Sequence, residues 1–213
     1  MRGRFITFEG PEGSGKSTQI RRLADWLTER GKEVFCTREP GGTPVGEAIR
    51  GLLQHDVEGE NLGARAELLL FSASRAQLVD RVIAPALEKG VWVLCDRFLD
   101  STLAYQGFGR GMDLEALGQI NAFAVQDCRP DLTLLLDLKV EVGFARLKSR
   151  YEANGASKDR FEREEQAFHE RVRQGYLQLA EREPDRFSIL NAEDSPDVVA
   201  LAVRAAVEEV LFS

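Results

Sequence analysis

The chain has 213 residues and 43% apolar content, enough for one substantial core, so a single domain over 1–213 is expected. Its net charge of −7, from 28 Lys+Arg against 35 Asp+Glu, argues against broad nucleic-acid binding and leaves room for a local cationic pocket. Three sparse cysteines, Cys36, Cys95 and Cys128, read as reduced core thiols. No apolar run approaches membrane-span length and no export signal is visible, so the cytoplasm, with no membrane partner, is the expected compartment.

Short Val/Ile/Leu/Phe-rich runs alternate with longer segments of helical spacing. The first run, 4–9, leads through a Gly-rich turn into a helical pattern over 18–30. Strand 34–37 precedes helix 45–54, and a long helical segment covers 64–89. Strand 91–95 follows, then helix 114–128, strand 132–138, helices 140–150 and 162–181, strand 187–190 and helix 196–211. Gly31 and Gly90 sit where helix C-terminal caps are wanted. Near-continuous apolar strands alternating with helices imply an α/β fold, a parallel sheet covered on both faces. Ligands in such sheets bind beyond the carboxyl ends of the strands, so functional residues should follow each run.

After the first run stands Gly10-Pro11-Glu12-Gly13-Ser14-Gly15-Lys16-Ser17-Thr18, which fits G-x-x-x-x-G-K-[ST] between a strand and a helix. Such a loop turns backbone N–H groups toward the phosphates of ATP, and the helix N-terminus adds positive potential. Lys16 is expected to reach the β- and γ-phosphates, and the Ser17 hydroxyl to ligate Mg²⁺. The third run ends at Asp96, placed to organise the Mg²⁺ through water. Arg97 follows it, where a motor or transporter ATPase carries a Glu; an arginine fork there suits a second phosphate. Thr37-Arg38-Glu39-Pro40-Gly41-Gly42-Thr43 is a fixed turn before a helix. Phe71 and Arg75, four residues apart, share one helix face. They either stack on a base and hold its phosphate, or serve as a core aromatic and a surface ion-pair partner.

Taken together, 10–18, 37–43, 71–77 and D-R-F-L-D-S-T-L-A-Y-Q-G at 96–107 resemble thymidylate kinase, as do Asp159-Arg-Phe-Glu, Phe168-His and Gly175-Tyr176. The resemblance implies a P-loop nucleoside monophosphate kinase with a five-stranded parallel sheet flanked by helices and a mobile lid over about 146–161. It implies a dimer and the use of ATP with Mg²⁺ to phosphorylate thymidine monophosphate. By resemblance Phe71 stacks on thymine, Arg75 meets the base edge and Arg38 and Arg97 hold the monophosphate. Glu39, Ser101, Thr102, Tyr105 and Gln106 border the nucleotide, with Tyr105 crowding a ribose 2′-hydroxyl. Glu12 in the P-loop corresponds to an acidic residue at the acceptor's sugar hydroxyl or at local metal and water. Some members carry a P-loop arginine that this chain lacks, so the transition-state cation is expected from the basic lid, Arg150 first and Arg160 second. Lys148 and Lys158 read equally well as solvated helix-end charges, Glu162 as a lid partner, and Asn191-Ala192 as a border of the adenine.

His55 and His169 lack ligand-spaced partners, which disfavours a zinc site. Another nucleotide kinase on the same core remains an alternative, and a binding module driven by ATP hydrolysis a weaker one. A GTP switch is disfavoured because no Asn-Lys-x-Asp motif occurs. The helix over 64–89, with Leu68, Leu69, Leu70, Val79 and Val82, is a candidate dimer face or core.

Overall fold

A computed structural model describes residues 2–55, 60–154 and 160–212; the side chains of Arg150, Ala153 and Asn154 fall outside that description. Five strands, β1 (Phe5–Glu9), β2 (Val34–Arg38), β3 (Trp92–Asp96), β4 (Leu132–Asp137) and β5 (Phe187–Asn191), form one sheet in the order β2-β3-β1-β4-β5. Every pairing is parallel, with Thr7 opposite Cys95 on one side and Thr133 on the other. The helices are α1 (Lys16–Glu29), α2 (Pro44–Gln54), α3 (Ala64–Leu78), α4 (Ala84–Glu88), α5 (Leu99–Thr102), α6 (Leu114–Val125), α7 (Val140–Asn154), α8 (Gln166–Arg182) and α9 (Pro196–Leu211). All five expected strands are present within two residues at each end.

Strand alternation in β1 decides what lies beneath the phosphate loop. Ile6 and Phe8 enter the core under α1 and α9, beside Leu23, Leu94, Leu134 and Val203. Phe5, Thr7 and Glu9 point to the opposite face. There Phe5 packs with Val93 and Phe98, and Thr7 shares a hydrogen bond with Thr133 at 2.9 Å. The second face is closed by α8, through Phe168, Val172, Tyr176 and Leu179.

The chain enters its helices by the routes its residue types favour. Thr43 accepts from the Gly46 amide ahead of Pro44, Asp113 from Ala116, and Ser195 from Val198 ahead of Pro196. Gly31 and Gly90 do close helices, at φ 72° and 86°.

Several boundaries differ from expectation: α6 ends at Val125 rather than 128 and α7 runs to Asn154 rather than 150. The long segment from 64 keeps its direction but opens into a π-helical turn at Val79–Ile83 before α4. Pro85, near the start of α4, cannot donate to the carbonyl four residues back, and the preceding turn widens to accommodate it. Residues 161–164 form a turn, so α8 starts at Gln166 rather than 162. A helical segment absent from the expected pattern, α5 with the π-helical stretch Leu103–Gly109, lies directly after β3.

Candidate active site

The loop after β1 wraps the start of α1. Gly15 adopts φ 90°, ψ 14° as the helix opens, and no side chain caps the helix, so its first N–H groups face the concavity. Gly10 stands at φ 130°, where a β-carbon would lie 2.4 Å from the Leu136 carbonyl oxygen, so no other residue fits between β1 and β4. Lys16 is buried, and its ammonium donates to the Gly10 and Pro11 carbonyls at 3.1 and 3.0 Å and to Ser14 Oγ at 3.4 Å. Burial, reinforced by Arg97, lowers its pKa, while Glu12 and Asp96 oppose that shift. Ser17 Oγ donates to Asp96 Oδ2 at 2.9 Å, bringing together the hydroxyl and the carboxylate expected to organise a magnesium ion. Among the described residues no group of three His, Cys, Asp or Glu side chains could hold a metal ion.

Arg97 is the hub. Its backbone is left-handed at φ 68°, an uncommon conformation for a residue with a β-carbon. Hydrogen bonds pin it from both sides: its own N–H donates to the Phe8 carbonyl at 2.9 Å, and the Phe98 N–H donates to Glu9 Oε1 at 2.7 Å. This turn throws the guanidinium back over the sheet edge. There Nη1 donates to the Gly10 carbonyl, Ser101 Oγ and Tyr176 Oη at 3.1–3.3 Å. Nη2 donates to Glu12 Oε1 at 2.5 Å and Tyr105 Oη at 3.0 Å.

Two glutamates three residues apart are driven in opposite directions. For Glu12, burial would raise the pKa, but Arg97 and Lys16 outweigh it and hold the carboxyl at about 2. For Glu9, burial dominates, Asp100 adds to it, and the carboxyl rises to about 7 in spite of Arg97 and the Ser101 and Tyr176 hydroxyls. Glu9 Oε2 accepts from Ser101 Oγ at 2.7 Å and from Tyr176 Oη at 2.8 Å. Burial also raises the Tyr105 and Tyr176 phenols, so both are hydrogen-bonding hydroxyls at neutral pH.

A cleft of about 700 Å³ runs from Lys16 and Ser17 past Arg97 to Arg38, Phe71 and Gln106. Arg38 is half exposed and forms a bidentate pair with Glu47 at 2.9–3.0 Å. Phe71 packs against Phe161 with ring centroids 5.7 Å apart. Arg75 is only 1% exposed, which removes the surface ion-pair alternative. Its five N–H groups meet Glu39 Oε2 twice, Thr102 Oγ1, Asn121 Oδ1 and the Phe98 carbonyl, at 2.7–3.0 Å. It reaches a base edge only by sharing one of these donors. Gln106 lines the cleft and donates through Nε2 to Glu67 Oε1 at 2.8 Å. Packing of Tyr105 and Gln106 into the interior follows from the π-helical stretch that carries them.

The expected lid segment is described at its two ends. Arg150 lies on α7 with its side chain outside the described set, and Lys158 and Asp159 fall outside the described residues. Arg160 is the second choice, after Arg150, for the cation over the transferring group. Its guanidinium is instead committed to Glu67 Oε2 at 2.6 Å and the Leu53 carbonyl at 3.1 Å, and it lines the neighbouring cavity rather than the cleft. Among the described side chains of α7, Arg146 touches the phosphate loop, donating to the Gly13 and Ala192 carbonyls at 3.3 and 2.9 Å.

Sequence reasoning passed over Glu9, Glu67, Asn121 and Tyr176 as site residues. Glu9 closes an apolar strand, and Glu67 lies four residues before Phe71 on α3; both are acids amid apolar neighbours, the one local signal that marks them. Of the leucines and valines suggested for a dimer face, Leu68 and Val79 are buried in the chain's own core, while Leu69 is 59% exposed.

A family model described as thymidylate kinase matches residues 8–203. The chain belongs to the thymidylate kinase family. It is 53% identical over 209 residues to a thymidylate kinase from Desulfovibrio desulfuricans, covering 97% of this chain and 96% of that one. It is 51% identical over 202 residues to one from Geobacter sulfurreducens, covering 94% of each. The crystal structure of thymidylate kinase from Ehrlichia chaffeensis is 34% identical, with a TM-score of 0.77 over 97% of this chain and 99% of that one. The five-stranded parallel sheet flanked by helices is thus this family's fold. Among the described residues no helix is long and apolar enough to cross a membrane.

Proposed function

We propose that this thymidylate kinase family member transfers the γ-phosphoryl group of ATP to thymidine monophosphate, giving ADP and thymidine diphosphate, with residues 1–213 acting as one kinase domain. The observation that carries this reading is the single cleft joining a phosphate loop at one end to Phe71 and Gln106 at the other, with Arg97 between them. A hydrolase needs only the first end.

The acceptor's phosphate oxygen is already a nucleophile at neutral pH. It forms the new bond to the γ-phosphorus as the bond to the leaving ADP oxygen breaks, and no strong base is required. The chain's part is positioning and charge. Residues 10–18 and Lys16 hold the ATP phosphates. Arg97 and Arg38 hold the acceptor phosphate, each exchanging a carboxylate, Glu12 or Glu47, for phosphate oxygens. Glu12, ionised at neutral pH, accepts from the acceptor's sugar hydroxyl, or would accept from water were a metal bound nearby. Phe71 stacks on the base, while Arg75, Glu39, Ser101, Thr102, Tyr105 and Gln106 shape the rest of the pocket.

The Ser17 hydroxyl and Asp96 carboxylate suit a hard cation, and the reading assigns them Mg²⁺. Bound with ATP, the ion neutralises β- and γ-phosphate charge. With Arg160 committed to Glu67, Arg150 is assigned as the lid cation at the transferring group. The reading also includes a cytoplasmic homodimer. Phe123 on α6 is 85% exposed and Leu69 on α3, which packs against α6, is 59% exposed; these apolar side chains on two neighbouring helices are the candidates for its interface.

A coupled ADP-release assay with ATP–Mg²⁺ and each nucleoside monophosphate in turn tests the proposal. Fast turnover confined largely to thymidine monophosphate, and lost in Arg97→Ala, supports it. Turnover with another monophosphate alone overturns the substrate, and hydrolysis without any acceptor overturns the kinase reading.

A further inference from the structure

We propose that Glu67, which does not line the nucleotide cleft, sets the acceptor's base specificity by fixing which end of the Gln106 amide faces that cleft. The inference rests on the substrate reading above and deepens it.

A glutamine side chain has two nearly isosteric ends, a donor and an acceptor. Rotating the amide by a half turn exchanges them, so a lone glutamine in a base pocket accommodates either an N–H or a lone pair on the ligand. Gln106 does not have that freedom. It is 1% exposed, and its Nε2 donates to Glu67 Oε1 at 2.8 Å. An ionised carboxylate only accepts. Turning the amide over would set Gln106 Oε1 against Glu67 Oε1, two acceptors with no proton between them, in a site without solvent to relieve them.

Glu67 is held ionised although it is fully buried. Arg110 donates to it twice, Nε to Oε1 at 2.7 Å and Nη2 to Oε2 at 3.0 Å, and Arg160 Nη2 donates to Oε2 at 2.6 Å. Burial raises the carboxyl, but the Arg110 and Gln106 bonds and Arg160 together bring it below its ordinary value. Glu164, paired with Arg110 at 2.9 Å, keeps that arginine in place.

With Nε2 committed, the amide oxygen is the end left for a ligand. Thymine and uracil present an N–H at N3, which that oxygen accepts. Cytosine presents a lone pair at the same position and leaves two acceptors facing each other. A site built to meet one hydrogen-bonding pattern rejects its complement far more strongly than a hydrophobic pocket rejects a change of size. Glu67 acts entirely through Gln106 and is a positioning residue.

The test measures dissociation constants and kcat/KM for thymidine, deoxyuridine and deoxycytidine monophosphates. The proteins are the wild type, Glu67→Gln, and the exchanged pair Glu67→Gln with Gln106→Glu. In Glu67→Gln the second amide allows Gln106 to turn over. Preference for thymidine over deoxycytidine monophosphate should fall at least tenfold, with KM for thymidine monophosphate rising more than kcat falls. General damage would lower both substrates alike and leave the ratio where it was. In the exchanged pair the new carboxylate at 106 can only accept, the amide at 67 donates to it, and the preference should return. An unchanged ratio in Glu67→Gln, or no preference in the exchanged pair, overturns the proposal. If Glu67→Gln fails to fold, the exchanged pair, which keeps the charge, decides alone. A wild type inactive on thymidine monophosphate would indict the substrate reading instead.

Discussion

Replacing Glu9 by Gln removes a titratable group from a fully buried position behind the site while keeping its shape. In the folded protein this carboxyl titrates near pH 7, displaced from 4.5 by burial and by Asp100. Between those two values the native state holds a proton that the unfolded chain has released. The stability contributed by this group therefore falls as pH rises, with no penalty below about 4.5 and the full penalty above about 7. A tenfold change in proton affinity is worth about 1.4 kcal/mol, so the penalty is on the order of 3 kcal/mol. Glutamine satisfies the same neighbours: its oxygen accepts from the Phe98 amide and its nitrogen donates to the Ser101 and Tyr176 hydroxyls, which can turn to receive it. Urea unfolding followed by circular dichroism at pH 5 and pH 8 would measure the difference. The variant should gain about 1–3 kcal/mol over wild type at pH 8, with most of that gain absent at pH 5. An equal difference at both pH values, or a variant less stable at pH 8, would refute the assignment.

Glu12 provides the opposite limb. Its folded pKa of about 2 against 4.5 unfolded means its pairing with Arg97 stabilises fully above about pH 4.5 and is lost as pH falls through 2. Because Glu12 keeps 26% exposure, Glu12→Gln should cost about 1–2 kcal/mol at pH 7 and almost nothing at pH 2, read from the same unfolding series. Arg97→Lys keeps a charge but loses the fork; kcat/KM for the acceptor should drop about 100-fold or more in the ADP-release assay, with the KM for ATP less affected. Gly10→Ala puts a β-carbon 2.4 Å from the Leu136 carbonyl on a backbone at φ 130°, and should cost at least about 3 kcal/mol of unfolding free energy. Chelating divalent cations should stop turnover while leaving the melting midpoint of the nucleotide-free protein unchanged, because the Ser17–Asp96 contact is a hydrogen bond within the chain.

The strands were legible because β1, β3 and β4 are buried almost throughout and so read as continuous apolar runs. The phosphate loop and Arg97 were legible because local spacing fixes them. The helical structure of Leu99–Gly109 was not, although its motif was. It is mostly buried around its circumference and partly π-helical, so it offers neither a polar face nor a 3.6-residue period. Asp100 illustrates a second barrier. Its partner Arg186, at 2.7 Å, lies far along the chain at the end that follows α8, and no pattern near Asp100 announces the pair. Glu67, Gln106, Arg110 and Arg160 likewise meet only through the tertiary fold. The placement of Arg160 outside the cleft follows from Glu67, whose apolar neighbours mark it as buried without announcing which cations it pairs with.

The left-handed backbone at Arg97 has a bearing on attempts to make this protein sturdier. Glycine or asparagine would relax that backbone, but either discards the guanidinium that reaches Glu12, Tyr105 and the phosphate loop and leaves the Glu12 carboxylate without its cation. The lost pairing outweighs the relieved strain, so a library selected only for heat resistance should keep arginine at 97 while relaxing other left-handed positions. Robustness and turnover ask for the same residue at one codon, and any directed-evolution campaign on this scaffold can leave that codon fixed at no cost in stability.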